Sequence, residues 1–178
     1  MAVDSAGDVY MTASGNKYPQ ASIVKLHIDN PATLSFTLSD WKININEFMP
    51  NGIQIEGNTM YYAGGQAVYK IAINADGSAA SPSVIYRTGF LRLMDDLTIT
   101  EDAVVVSEFS LLDALFGSNN GPNNLVFIDK DSQWWQRPVK QDTGDITVSS
   151  LVQDINGVLG NPGALVLTSY FQGGIYAY

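Results

Sequence analysis

The chain has 178 residues, of which 46% are hydrophobic and 15% are charged, so one folded domain with a substantial core is expected. The formal net charge of −9 argues against nucleic acid and anionic membrane surfaces as partners, because binding either one requires a basic patch. The sequence has no cysteine, which excludes disulfides, thiolate nucleophiles and cysteine-bound zinc.

No apolar run approaches the roughly 18 residues that a membrane-spanning helix needs. The first residues, MAVDSAGDVY, lack both a basic start and an apolar stretch, so no signal peptide is predicted in this chain. The compartment stays open, with an extracellular setting slightly favoured over a cytosolic one.

Most of the chain reads as short apolar strands bounded by Gly, Pro, Asn and Asp, which is typical of an all-β sandwich, barrel or propeller. The strands group into four sets. The first set holds Met1–Val3, Val9–Thr12, Ile23–Ile28 and Ala32–Leu38. The second holds Ile53–Ile55, Thr59–Ala63, Ala67–Ile73 and Ser83–Arg87. The third holds Leu97–Ile99, Ala103–Glu108, Asn124–Ile128 and Gln133–Pro138. The fourth holds Ser149–Gln153, Ala164–Thr168 and Gly174–Tyr178.

Helix signals are weak, and the best candidate is the segment Ser110–Phe116. Ser110 is suited to the N-cap position, and Gly117 would end the helix after one or two turns. Asp76-Gly77 lies between the third and fourth strands of the second set, where a hairpin turn is needed.

Three segments share one frame, in which an apolar strand meets a polar turn and a second apolar strand returns. They span residues 1–13, 49–63 and 94–108, and the offset from Ile53 to Leu97 is 44 residues. This offset is typical of a propeller blade of four antiparallel strands. We therefore predict one β-propeller domain over residues 1–178, with blades at about 1–40, 50–88, 95–140 and 148–178.

The repeat places oxygen-bearing side chains at matching positions, just before the first strand of two successive sets. These are Asn51 and the pair Asp95-Asp96. First strands of propeller blades line a central channel, so the matching side chains would converge on one mouth. Amide and carboxylate oxygens are calcium ligands, and a cation would relieve the repulsion between adjacent carboxylates. The alternatives are an ordinary turn at Pro50-Asn51-Gly52 and a solvated acidic turn at Asp95-Asp96.

The segment Asn51-Gly52-Ile53, followed by Asp95-Asp96-Leu97-Thr98-Ile99, resembles the metal site of the calcium-dependent six-bladed propellers. This superfamily includes the regucalcin/gluconolactonase, paraoxonase-like and strictosidine synthase-like proteins. Residues 156–178 are similar to the closing blade of the paraoxonase-like branch. The resemblance implies a hydrolase of small lactones or esters that uses Ca²⁺, although another divalent metal also fits. It implies that Asn51, Asp95 and Asp96 are metal ligands and that Asp95 also positions or deprotonates the attacking water.

The chain also departs from this family. Four strand sets are counted where the family has about six blades. The single histidine, His27, lies in a third strand and is expected to be structural or exposed. Asn156-Gly157-Val158 has the same residue pattern as Asn51-Gly52-Ile53, but it does not lie at the 44-residue period. A plain turn is therefore expected there. Trp134 and Trp135 should face opposite sides of one strand and pack between blades.

Two other interpretations stay open. The chain could be a non-catalytic propeller that acts as a binding or structural module and self-associates through exposed blade edges. It could also be a piece of a longer enzyme whose remaining ligands lie upstream.

Overall fold

The computed structural model describes residues 1–13, 22–43, 45, 49–116, 123–129, 133–138, 140–141, 144–145, 148–159, 161–169 and 174–177, and the structural statements below refer to these. The chain is all-β with one short helix. Within the described residues, that helix is too short to cross a membrane.

Four antiparallel sheets follow one another along the chain, and each keeps its strands in sequence order. Sheet I contains β1 (Ala2–Val3), β2 (Val9–Ala13), β3 (Ser22–Asn30) and β4 (Ser35–Lys42). Sheet II contains β5 (Pro50–Glu56), β6 (Thr59–Gly64), β7 (Ala67–Ala72) and β8 (Ser83–Arg87). Sheet III contains β9 (Arg92–Ile99), β10 (Ala103–Ser110), β11 (Asn124–Asp129) and β12 (Trp134–Pro138). Sheet IV contains β15 (Val148–Asp154), β16 (Ala164–Ser169) and β17 (Ile175–Ala177).

Two further elements lie outside these sheets. The helix α1 (Leu111–Phe116) follows β10 and begins directly after Ser110, the predicted N-cap position. A two-residue pair, β13 (Lys140–Gln141) with β14 (Gly144–Asp145), was not predicted, because strands this short carry no periodic signal. All four predicted strand sets are present, and the Asp76-Gly77 turn connects β7 to β8 as expected.

The sheets pack face to face, and three apolar cores lie between them. The first core joins Tyr10 and Ile23 of sheet I to Met60 and Ile71 of sheet II. The second core joins the opposite face of sheet II to sheet III through Tyr61, Ala63, Val68, Leu97, Val104 and Val126. The third core joins the opposite face of sheet III to sheet IV through Val105, Leu125, Leu151 and Leu167. Sheets II and III are therefore buried on both faces, which explains their unbroken apolar runs.

The first strands of sheets II, III and IV lie side by side, with β5 next to β9 and β9 next to β15. In sheet II, Pro50 pairs with Gly64 and Ile53 with Tyr62, so Asn51 and Gly52 oppose one residue. In sheet III, Met94 pairs with Glu108 and Leu97 with Val106, so Asp95 and Asp96 likewise oppose one residue, Ser107. Both first strands therefore contain a β-bulge at the same point of the repeat.

The bulges correct the expectation that Asn51 and Asp95 precede their strands, because both residues lie inside β5 and β9. The physical reason is that the strand continues past the bulge. Met94 and Leu97 both lie in the second core although they are three positions apart, which a regular pleat with a period of two does not allow. The extra residue of the bulge turns Leu97 to the same face of the sheet as Met94. Asp95-Asp96 is therefore tolerated in the middle of a buried strand.

Gly52 allows β5 and β9 to approach each other closely. A Cβ at this position would lie 2.5 Å from the backbone nitrogen of Leu97 and 2.7 Å from the Cα of Asp96. Both neighbours are backbone atoms, which cannot move aside as a flexible side chain can. Glycine is therefore required here by the contact between two sheets.

We predict that Gly52→Ala lowers the free energy of unfolding by about 2 kcal/mol or more, because the new methyl group forces two backbones apart. Urea unfolding followed by circular dichroism measures the change. Gly89→Ala is the matched control, since a Cβ at Gly89 meets no atom within 4 Å. Equal stability of the two variants would contradict the close approach of β5 and β9.

Candidate functional site

The paired bulges bring Asn51 and Asp95 into direct contact, as the 44-residue repeat predicts. The Asn51 Nδ2 group donates a hydrogen bond to Asp95 Oδ1. On the other side of β5, the hydroxyl of Thr12 in sheet I donates to the backbone oxygen of Asn51 at 2.6 Å. The contact between Asn51 and Asp95 is thus held between strands of three successive sheets.

The electrostatic environment of Asp95 makes this carboxyl group unusual. Burial raises its pKa most, and the negative charge of the adjacent Asp96 raises it further. The hydrogen bond from Asn51 lowers the pKa but only partly offsets these two effects, and the result is a pKa of about 6. A carboxyl with this pKa is ionised at neutral pH and accepts a proton more readily than an ordinary aspartate does.

Asp96 has a different role from its neighbour, because donors surround both of its carboxylate oxygens. Oδ1 accepts a hydrogen bond from the backbone nitrogen of Leu97 at 2.9 Å. Oδ2 accepts from the hydroxyl of Ser150 and from the backbone nitrogen of Leu151, each at 3.0 Å. The last two donors belong to β15, so Asp96 joins sheet III to sheet IV. Its predicted role as a metal ligand stays a prediction.

The fourth sheet carries the same bulge, which the sequence did not reveal. Val148 pairs with Ser169 and Ser150 with Thr168, so Ser149 is the extra residue of β15. The counterpart of Asn51-Gly52-Ile53 in sheet IV is therefore Ser149-Ser150-Leu151. Asn156-Gly157 lies in a turn between β15 and β16, as expected. Ser150 comes directly before an apolar stretch, and this position could have located it in the sequence. However, the offset from Leu97 to Leu151 is longer than the 44 residues from Ile53 to Leu97, so the repeat does not point to it.

The other residues singled out from the sequence are structural. His27 Nδ1 lies 2.5 Å from Oδ1 of Asp8. Burial alone would raise the pKa of Asp8, but hydrogen bonds from Lys25 and His27 outweigh it and hold the pKa below its usual value. Trp134 meets Tyr86 edge-on and Trp135 stacks on Phe127, so the two rings face opposite sides of β12 as predicted.

A buried polar network near the start of β9 was not predicted. Glu108 is 1% exposed, and its carboxylate accepts hydrogen bonds from side chains of both sheet II and sheet III. Its hydrogen-bond donors are Tyr86, Thr88, Asn124 and Gln136, and Arg92 Nε lies 2.9 Å from Oε2. Because these donors from sheets II and III all contact the Glu108 carboxylate, the network mainly holds these two sheets together. It has no signal in the sequence, since Glu108 reads as one polar residue in an apolar strand.

The donor set around Asn51 and Asp95 fits a calcium ion in kind. A side-chain amide and a carboxylate both supply oxygen ligands of the type that Ca²⁺ prefers. The raised pKa of Asp95 also fits, because burial and, after it, the charge of Asp96 disfavour the ionised carboxylate, and a bound cation would offset both effects. The described residues contain no group of three or more His, Asp or Glu side chains arranged for a metal. Asn51 and Asp95 would therefore be part of a coordination shell.

No family model matches the chain, and no curated protein matches it either.

We predict that Asp95→Asn removes a pH-dependent contribution to stability. The folded-state pKa of Asp95, about 6, lies above its ordinary value of 3.8. The stabilising contribution is therefore fully present below about pH 4 and is lost as the pH rises through about 6. The free energy of unfolding of the wild type should thus fall, relative to that of Asp95→Asn, between about pH 4 and about pH 7. A constant difference across this range would contradict the environment described for Asp95.

We predict that Asp96→Ala loosens sheet IV from sheet III. Leu151 is 3% exposed, so its backbone nitrogen would be left buried without its acceptor, at a cost of about 2 kcal/mol. Hydrogen exchange should report faster exchange of the Leu151 amide, and urea unfolding should report the lower stability. The control is Asp102→Ala, which removes an exposed carboxylate from the β9–β10 turn. Unchanged protection of Leu151 would show that Asp96 does not hold the two sheets together.

Proposed function

We propose that the four sheets are blades of a β-propeller and that the chain is a calcium-dependent hydrolase of lactones or related esters. The observation that carries this proposal is the contact between Asn51 and Asp95 from matching bulges of neighbouring sheets. The stacked meander sheets support the propeller, because each presents its first strand beside that of the next sheet. The resemblance of these segments to the calcium-dependent propellers supports the reaction.

In this proposal Asn51 and Asp95 hold the calcium ion through their side-chain oxygens. When bound, calcium would polarise the substrate carbonyl and stabilise the negative charge that develops on its oxygen. Asp96 stays engaged with sheet IV, so its contribution is electrostatic: its charge keeps the pKa of Asp95 high.

Asp95 acts as the general base in this proposal. Asn51 occupies Oδ1, and within the described residues no hydrogen bond reaches Oδ2. Oδ2 can therefore take a proton from a water molecule while the water oxygen forms a bond to the carbonyl carbon. The bond between that carbon and the ester oxygen then breaks, and the proton passes from Oδ2 to the leaving oxygen.

A second candidate is a non-catalytic binding or structural module. The observation that favours it is the commitment of Asp96, whose two carboxylate oxygens serve the contact between sheets III and IV. In this interpretation the paired bulges and Asp96 maintain the architecture, and calcium has no catalytic part.

The deciding experiment combines hydrolysis of a panel of lactones with calcium titration of the melting temperature. For the enzyme we expect hydrolysis that a chelator abolishes, and a loss in kcat/KM of about a hundredfold or more in Asp95→Asn. Asp102→Asn is the matched control and should keep the wild-type rate. Calcium should raise the melting temperature of the wild type and of Asp102→Asn, but not that of Asp95→Asn.

The other outcomes separate the two candidates. A calcium-dependent rise in melting temperature without hydrolysis of any lactone supports the binding module. Hydrolysis that survives Asp95→Asn unchanged overturns the proposed mechanism, and the absence of any calcium effect overturns the metal site.

A further inference from the structure

The face of sheet I that points away from sheet II is apolar and exposed. One row crosses all four strands in register, with Val3 opposite Val9, Val9 opposite Leu26, and Leu26 opposite Leu38. Ile28 and Phe36 form the next pair on the same face. Val3, Phe36 and Leu38 are 57%, 60% and 58% exposed. No charged side chain occurs in these two rows.

The same face of sheet II shows what such a surface does when it has a partner. In sheet II, Ile55 lies opposite Met60 and Met60 opposite Ile71, and Met60 and Ile71 are fully buried against sheet I. The two sheets have matching registers. In sheet I the pair next to Val9–Leu26 is Tyr10–Lys25, and in sheet II the pair next to Met60–Ile71 is Tyr61–Lys70. We call this face the rear face. Among the residues that the structure describes, it is covered in sheets II, III and IV and open in sheet I.

Sheet IV presents the opposite kind of surface, which we call its front face. It is the face turned away from sheet III, and it carries Val152 opposite Val166 and Ile175 opposite Thr168. Val152 and Ile175, on the two outer strands, are 54% and 66% exposed, whereas Val166 on the central strand β16 is buried. The corresponding pair of sheet III, Thr98 and Val105, is buried beneath sheet IV. The chain therefore leaves one rear face and one front face open.

We propose that two copies of this chain associate head to tail, with the front face of sheet IV in one copy packed on the rear face of sheet I in the other. The pairing of front with rear occurs three times inside the chain, between sheets I and II, II and III, and III and IV. A second copy offers both missing surfaces at once. A two-fold axis then uses all four open faces and closes the assembly as a dimer.

Surface area and charge agree with this occupant. The chain exposes 9733 Å², whereas a compact folded protein of 19.3 kDa exposes about 8,500 Å². The excess is on the order of 1,200 Å², which exceeds the roughly 800 Å² that each partner contributes to a stable interface. A net charge of −9 disfavours contact between copies elsewhere, so the contact should follow the uncharged rows, beside which Asp40 lies on the rear face and Asp154 on the front face. The inference is independent of the proposed hydrolase activity.

The experiment measures molar mass by light scattering for the wild type and for two variants. Leu38→Lys places a charge on the rear face, and Val152→Glu places one on the front face. Both positions are exposed in the single copy, and circular dichroism confirms that each variant folds. We expect a wild-type mass of about twice 19.3 kDa, with dimerisation weakened by about a hundredfold or more in each variant because a charge is buried. Phe90→Lys, at an 87% exposed position between sheets II and III, is the control and should stay dimeric.

Mixing the two variants tests the head-to-tail arrangement. In the mixed pair one contact has two unchanged faces, and the other places the introduced lysine against the introduced glutamate, so the dimer should return. A monomeric wild type overturns the proposal. A Val152→Glu variant that stays dimeric also overturns it, because the contact would then join rear to rear. A mixture that stays monomeric, or a wild type that grows beyond two copies, overturns it as well. Phe36→Lys serves as a second rear-face variant should Leu38→Lys not fold.

Discussion

The contact between the backbones of β5 and β9 is the constraint on which the rest of the structure depends. At Gly52 the two strands approach so closely that no side chain fits between them. This approach sets the spacing of sheets II and III, seals the core between them and brings Asn51 onto Asp95. A site built in this way is positioned by backbone atoms of a rigid scaffold, which hold a geometry better than a loop does. The buried Glu108 network fastens the same two sheets from another direction.

Asp95 and Asp96 are adjacent but have different hydrogen-bond partners, because the bulge of β9 directs one towards sheet II and the other towards sheet IV. Asp96 has donors on both oxygens and is a structural link between sheets III and IV. Asp95 has the amide of Asn51 on one oxygen, and the burial that makes its negative charge unfavourable has no full compensation. The link and the raised pKa depend on each other, since the charge that joins the sheets also raises the pKa of the neighbouring carboxyl. The contact between sheets III and IV and the electrostatics of Asp95 are thus coupled within one dipeptide.

The strand sets could be predicted because Gly, Asp and Asn mark nearly every turn between them. The pairing of Asn51 with Asp95 could also be predicted, because it follows from the repeat alone. The role of Asp96 could not, because its partners Ser150 and Leu151 lie in a sheet whose offset an intervening helix and short hairpin have lengthened. The faces of sheets II and III could not be assigned either, since runs such as Val104–Val106 are buried on both sides and show no alternation.

The bulge in β9 also constrains how this chain can vary by insertion and deletion. Met94 and Leu97 share a core only because an extra residue lies between them. Loss of either aspartate by deletion would restore the regular pleat and turn every residue before it to the opposite face. A change of length would therefore disturb this strand more than most changes of composition. Length variation among descendants of this sequence should collect in the turns, with β5 and β9 kept at constant residue number.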